Sequence, residues 1–150
     1  MSKNKPYGET AYTRDMVKFW RALKHEVFNI TASAAQGPSW PDVHLTSPIY
    51  TGYIEFKGLE TKVEPHQIEK ILSLNEKSPG SALIIRQRCP TWKALGGTGV
   101  GSVQYIHPDT KKSMQLKSAS IFTNPIQAIE HLQFVSNALF MSYKKRQAES

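Results

Sequence analysis

The chain has 150 residues, enough for one domain that buries a core without disulfide or metal staples. Its composition, 39% hydrophobic and 21% charged, is that of an ordinary globular protein. No apolar run approaches the roughly 18 to 20 residues of a membrane span, and the first 15 residues carry no apolar segment of a secretory signal. A single cysteine, Cys89, excludes an intrachain disulfide and fits a reducing, cytoplasmic setting. The 19 Lys and Arg outweigh 12 Asp and Glu, giving a net charge of +7 and a pI near 9.5, which favours a polyanionic partner, nucleic acid first.

The segment to about Tyr12 is polar. From Thr13, a fair N-cap, Met16, Phe19, Trp20, Leu23 and Val27 recur at helical spacing, with Asp15 in the first turn. Phe28 to Thr31 reads as a short strand and Ala32 to Ser39 as a loop broken by Gly37-Pro38. Two strand-like runs follow, Asp42 to Leu45 and Thr51 to Lys57, joined across Ser47-Pro48 as a hairpin. In the second run Tyr53, Glu55 and Lys57 point to one face, and Ile54 and Phe56 to the other. Glu64-Pro65 starts a helix with Ile68, Ile71, Leu72 and Asn75 on one stripe, and Ser78-Pro79-Gly80 ends it. Ala82 to Arg86 is a buried type of strand. Gly96 to Gly101 reads as a loop, Ser102 to Ile106 as a strand, Pro108 to Thr110 as a turn, and Met114 to Phe122 as another strand. Asn124-Pro125 caps a last helix with Ile126, Ile129, Leu132, Val135 and Leu139 on its stripe, ending in Lys144, Lys145 and Arg146 near the negative pole of its dipole. This order predicts a single α/β domain over 1–150, with a core of about 13–88 and an extension of about 89–150 that serves specificity or oligomer contacts.

Pro41-Asp42, followed by Glu55-Phe56-Lys57, is the constellation that carries chemistry. Two carboxylates meeting at adjacent strand ends are hard oxygen ligands for a divalent cation, and the backbone carbonyl of Phe56 can add a third. Such an ion lowers the pKa of a bound water and offsets charge building on a phosphate. Lys57, two residues from Glu55, shares its face and can orient the water and steady the transition state. Taken alone, Glu-x-Lys on a strand is more often a solvated face, and an Asp after Pro is more often a turn.

With its context of helix, hairpin, helix and strand, the arrangement resembles the PD-(D/E)xK nuclease superfamily, which includes many restriction enzymes and Holliday junction resolvases. The likeness runs from about Thr13 to Gln87, about half of the chain. The segments PDVHL, GYIEFKGLETKVEPHQIEKIL and GSALIIRQ look most like its virus-type replication-repair nuclease branch, in which a Pro and a Gln open the helix after the lysine, as Pro65 and Gln67 do here. The resemblance implies a restriction-endonuclease-like core, a mixed central sheet flanked by helices, with additional C-terminal strands and a helix. It implies a Mg²⁺- or Mn²⁺-dependent DNA endonuclease, prokaryotic or phage-encoded. Asp42, Glu55, Lys57 and Gln67 would be catalytic, with Asp42, Glu55 and the Phe56 carbonyl on the metal. The family often has a further acid on the first helix, where Asp15, Glu9 and Glu26 are candidates, Asp15 slightly ahead and Glu9 next. A sequence-specific enzyme of restriction or homing type is the first expectation, because about 60 residues remain for specificity. A structure-specific nuclease is the alternative, and a non-catalytic DNA-binding protein on the same fold is the rival class. Double-strand cleavage by so small a subunit calls for a dimer or tetramer.

Arg86 and Arg88, beside the site in sequence, and Lys111, Lys112 and Lys117 are the candidate clamps on the DNA backbone, and Lys144 to Arg146 form a further basic cluster. The five histidines lack zinc-site spacing; His44 and His66 lie near the site, most simply as polar surface residues. Cys89 has no signature of a thiol nucleophile and is expected in the core. The glycine-rich GGTGVG lacks the following Gly-Lys-Ser/Thr of a phosphate loop. Trp40 and Trp92 can stack on bases, although apolar packing is their more usual role.

Overall fold

Strand residues in the middle of the chain alternate between two apolar environments, and helices cover both faces of the sheet they form. The computed structural model describes residues 8–30, 39–89, 99–117 and 121–149. In chain order the elements are α1 (Glu9–Ala22), β1 (Glu26–Asn29), β2 (Val43–Thr46), β3 (Thr51–Lys57), α2 (Pro65–Lys77), β4 (Ala82–Gln87), β5 (Gly101–Ile106), β6 (Ser113–Met114) and α3 (Pro125–Glu149). The six strands form one sheet in sequential order; β3 and β4 are parallel and every other neighbouring pair is antiparallel. The fold is therefore the expected α/β class, a mixed sheet flanked by helices with strands and a helix added at the C-terminal side. Among the described residues no helix is long and apolar enough to cross a membrane.

Period-two alternation sorts the sheet. Ile54, Phe56, Leu83, Ile85 and Val103 face α1 and α3, where they join Tyr12, Met16, Trp20, Ala128, Leu132 and Val135. Phe56 is the hub of this layer, with ring centres 6.3 Å from Tyr12 and 6.1 Å from Trp20. Fully burying a side chain of this kind stabilises the fold by about 1.5–3 kcal/mol. On the other face Ala82, Ile84 and Ile106 pack under Ile68, Ile71 and Leu72 of α2. With both faces covered, β4 is buried at every position. Glu55 and Lys57 lie on the α2 face of β3, as the alternation predicts. β5 and α3 belong to the same cores as β3 and β4, so residues after Cys89 complete the sheet and its cover.

Several boundaries differ from the sequence expectation. α1 starts at Glu9 with Gly8 as its extended N-cap, and Thr13 lies inside it, its hydroxyl donating to the Glu9 carbonyl at 2.9 Å. The buried stripe is Tyr12, Met16, Val17 and Trp20, whereas Phe19 and Leu23 are 41% and 38% exposed. Burial of Tyr12, with its hydroxyl donating to the Val100 carbonyl, draws the first turn onto the sheet. The helix closes at Leu23, Lys24 has a φ of 71°, and Val27 becomes a strand residue in β1 instead of continuing the helix. β2 begins at Val43, one residue after the expected Asp42, and β5 begins at Gly101. Of the strand expected from Met114 to Phe122, the described residues show the end of β6 (Ser113–Met114) and an isolated bridge between Phe122 and Gly101; residues 118–120 lie outside the described residues. On α3, Ile126 is exposed; Ala128, Ile129, Leu132 and Val135 form the buried stripe. The α3 start does follow expectation, since the Gln127 N–H donates to the Asn124 side chain at 2.9 Å. Thr31, residues 32–38 and 96–98 of the two expected loops, and Trp92 lie outside the described residues.

Candidate active site

The carboxyl end of β3 is where the candidate site residues meet. The antiparallel register pairs Val43 with Ile54, so Asp42 leaves β2 alongside the last residues of β3. One Asp42 carboxylate oxygen accepts the Phe56 backbone N–H at 2.8 Å, which fixes the acid against the strand and next to the Phe56 peptide. The Ile30 N–H donates to the Asp42 carbonyl at 2.9 Å and holds the same residue from the other side.

Glu55 and Lys57 are 3% and 7% exposed, a degree of burial that a merely solvated strand face would not show. The Lys57 Nζ lies 3.7 Å from Glu55 Oε2. The same carboxylate oxygen accepts the Gln67 side-chain amide at 3.1 Å. Gln67 is itself oriented by the start of α2, because its side-chain oxygen accepts the Glu64 backbone N–H at 3.0 Å. The helix cap and the buried acid thus share one side chain. Asp42, Glu55, Lys57 and Gln67 all come together as expected.

The N-terminal acid at the site is Glu9, and Asp15 is not. Glu9 opens α1 and its Oε1 accepts the Gly58 N–H at 2.8 Å and the Thr61 hydroxyl at 3.0 Å, so it lies at the end of β3. Asp15, two turns further on, pairs with Arg14 at 3.2 Å. Glu26 is exposed on β1, facing the Thr46 end of β2.

Arg86 has a different place from the DNA clamp expected of it. It is buried on β4; its Nε donates to Gln104 Oε1 at 3.0 Å, and one terminal nitrogen donates to the carbonyls of Gly58 at 2.9 Å and Thr61 at 2.7 Å. It therefore anchors the 58–61 loop that grips Glu9. Desolvation by burial, and Arg88 nearby, push its pKa below the usual arginine value. Arg88 is half-buried and donates to the Ser102 hydroxyl at 2.9 Å. Lys111 and Lys112 are exposed and line a cleft of about 500 Å³ with Thr61 and Lys62; Lys117 is also exposed. His66 is exposed on the first turn of α2. His44 packs edge-on against Tyr53 with ring centres 4.7 Å apart, and burial lowers its pKa. Trp40 leans on Tyr53 at 5.6 Å beneath Lys70, whose Nζ is 4.3 Å from the indole centre. Cys89 is buried, as expected.

A basic stripe escapes the reading of single clusters. Arg14, Lys18 and Arg21 stand at i, i+4 and i+7 on the side of α1 away from Tyr12, Met16 and Trp20. With Glu9 and Asp42 they line a cleft of about 540 Å³. The spacing is visible in the sequence, but only once the true buried stripe of α1 is known.

Electrostatics set the chemistry of the acids. Burial, reinforced by Asp42 and to a lesser extent by Glu9, pushes Glu55 up to about 8 against the opposing pull of Lys57. Asp42 is also raised, by burial above all and by Glu9, with the Phe56 N–H and Lys57 working the other way. Two carboxylates that repel each other in a desolvated site with one lysine are short of positive charge. A hard divalent cation would meet that shortage, and its donors would be Asp42, Glu55 and the Phe56 carbonyl. Among the described residues no group of three or more His, Cys, Asp or Glu side chains is placed to hold a metal. No protein-family model and no curated protein matches the chain.

Proposed function

We propose that the protein is a metal-dependent DNA endonuclease with its active site at Asp42, Glu55 and Lys57. The observation that carries this reading is the burial of Glu55 and Lys57 together at one strand end, beside the oriented Asp42 carboxylate. A Mg²⁺ or Mn²⁺ ion on that set would supply Lewis-acid activation of water and offset charge on the phosphate. The remaining work falls to the chain's own groups. Lys57 brings an ammonium to the phosphate oxygens, where donors already in place stabilise the transition state without reorganisation. Gln67 holds the Glu55 carboxylate in one rotamer and has no proton to exchange with it. Glu9 ties the 58–61 loop to α1 and keeps the mouth of the site in shape. Arg14 and Lys18 line the cleft that leads to Asp42 and suit a phosphate backbone approaching the acids, a role that Lys111 and Lys112 can share from the other side.

A structure-specific substrate fits this molecule better than a long recognition sequence. The residues after Cys89 form β5 and the buried stripe of α3, so much of the supposed specificity extension is structural core. Incubation with Mg²⁺ and supercoiled plasmid, linear genomic DNA and a four-way junction, with an EDTA control, tests both levels of the proposal. Metal-dependent cutting of the junction alone supports structure-specific cleavage, and cutting of the linear DNA at fixed sites supports a sequence-specific enzyme. DNA bound but left intact by the whole panel would point to a non-catalytic binding protein.

A further inference from the structure

The outward face of α3 is apolar where a helix cover of a monomer would be polar. Ile126, Phe134, Phe140 and Met141 are 51%, 47%, 45% and 62% exposed, opposite the buried stripe of Ala128, Leu132 and Val135. Glu130, Asn137, Lys144 and Ala148, all exposed, fall on the same broad stripe at three- and four-residue spacing.

This pattern is self-complementary. Reversing the helix about Asn137 superposes Phe134 on Phe140, Ile126 on Ala148 and Glu130 on Lys144. Each charged position is seven residues from Asn137, about 10 Å along the axis. An acid in the first half and a base in the second half are what an isologous antiparallel helix pair requires.

We infer that α3 pairs antiparallel with α3 of a second copy of this chain, on a two-fold axis passing near Asn137. Phe134 packs against Phe140 of the partner subunit, and Glu130 pairs with Lys144 of the partner subunit, each contact occurring twice. The polar Asn137 at the axis meets its symmetry mate and sets the register, a role for which single buried polar residues are well suited. The inference stands apart from the nuclease reading, because it rests on the outer face of α3 and not on the acid site.

Charge reversal tests it. Light scattering should give the parent protein the mass of two copies, or a multiple of that mass. Glu130→Lys and Lys144→Glu, both at exposed positions, should each weaken self-association at least about tenfold and halve the mass at micromolar concentration. The double exchange Glu130→Lys with Lys144→Glu should restore it. Asn137→Cys, in a chain whose only other cysteine is buried, should give a disulfide-linked dimer under mild oxidation. A single-copy mass for the parent overturns the inference. So do a mass that neither reversal changes and a double exchange that fails to restore it.

Discussion

At the scale of single residues, burial is what separates function from surface. Glu55 and Lys57 are enclosed, a costly setting for ionisable groups that a solvated Glu-x-Lys pair never meets. Glu9 and Asp15 offer a direct comparison. Glu9→Gln is expected to cut turnover about tenfold, since it removes charge from the acid cluster and weakens the acceptor for Gly58 and Thr61. Asp15→Asn should leave turnover and stability within about 0.5 kcal/mol of the parent, as measured by thermal melts and initial rates. Arg86→Leu should destabilise by about 3 kcal/mol in urea melts, because it leaves the Gly58 and Thr61 carbonyls and Gln104 without their donor. A melt that barely moves would return Arg86 to the surface role its sequence position suggests.

At the scale of elements, the sequence discloses what local pattern determines and hides what tertiary contact determines. The alternation of Tyr53 to Lys57 places Glu55 and Lys57 on one face, and Glu64-Pro65 starts α2 at the right residue. Both rest on local chemistry, a period of two and a proline at the first helical position. The start of α1 depends on Tyr12 docking against Phe56 and Val100, partners far away in the chain, so Thr13 competes as a cap without filling the role. The choice of Glu9 over Asp15 hinges on the same boundary. Arg86 misleads for a related reason, since nothing local says that the Gly58 and Thr61 carbonyls will face β4. Gly80 makes the element scale testable. It ends the turn between α2 and β4 at a φ of 84°, and an added Cβ there would meet Ser136 of α3, including its carbonyl oxygen at 2.6 Å. Gly80→Ala should therefore cost about 1–3 kcal/mol, read as a lower urea midpoint at unchanged slope.

At the scale of the whole molecule, the acid site opposes the stability of the metal-free fold. Glu55 titrates near 8 in the fold, against an ordinary value of 4.5. The fold therefore prefers its protonated form. That contribution is fully present below the ordinary value and is lost as pH rises through the folded value. The raised Asp42 acts in the same direction. Metal-free protein should lose up to about 1.4 kcal/mol per pH unit from this site between pH 6 and 8. If, as proposed, Mg²⁺ or Mn²⁺ binds the ionised acids, the rise in Tm on adding metal should grow over the same interval. Differential scanning calorimetry at pH 6, 7 and 8, with and without metal, reads both trends. A Tm independent of pH and metal would remove the electrostatic basis for placing a cation there.

Single-turnover cleavage by Lys57→Ala beside the parent protein, with DNA binding measured in parallel in Ca²⁺, is the most direct measurement. The expected result is a fall in the cleavage rate of about 100-fold or more with binding nearly unchanged, because Lys57, on the proposed reading, would act on charge that develops in the transition state. Equal cleavage by the folded variant and the parent would contradict the assignment of the site.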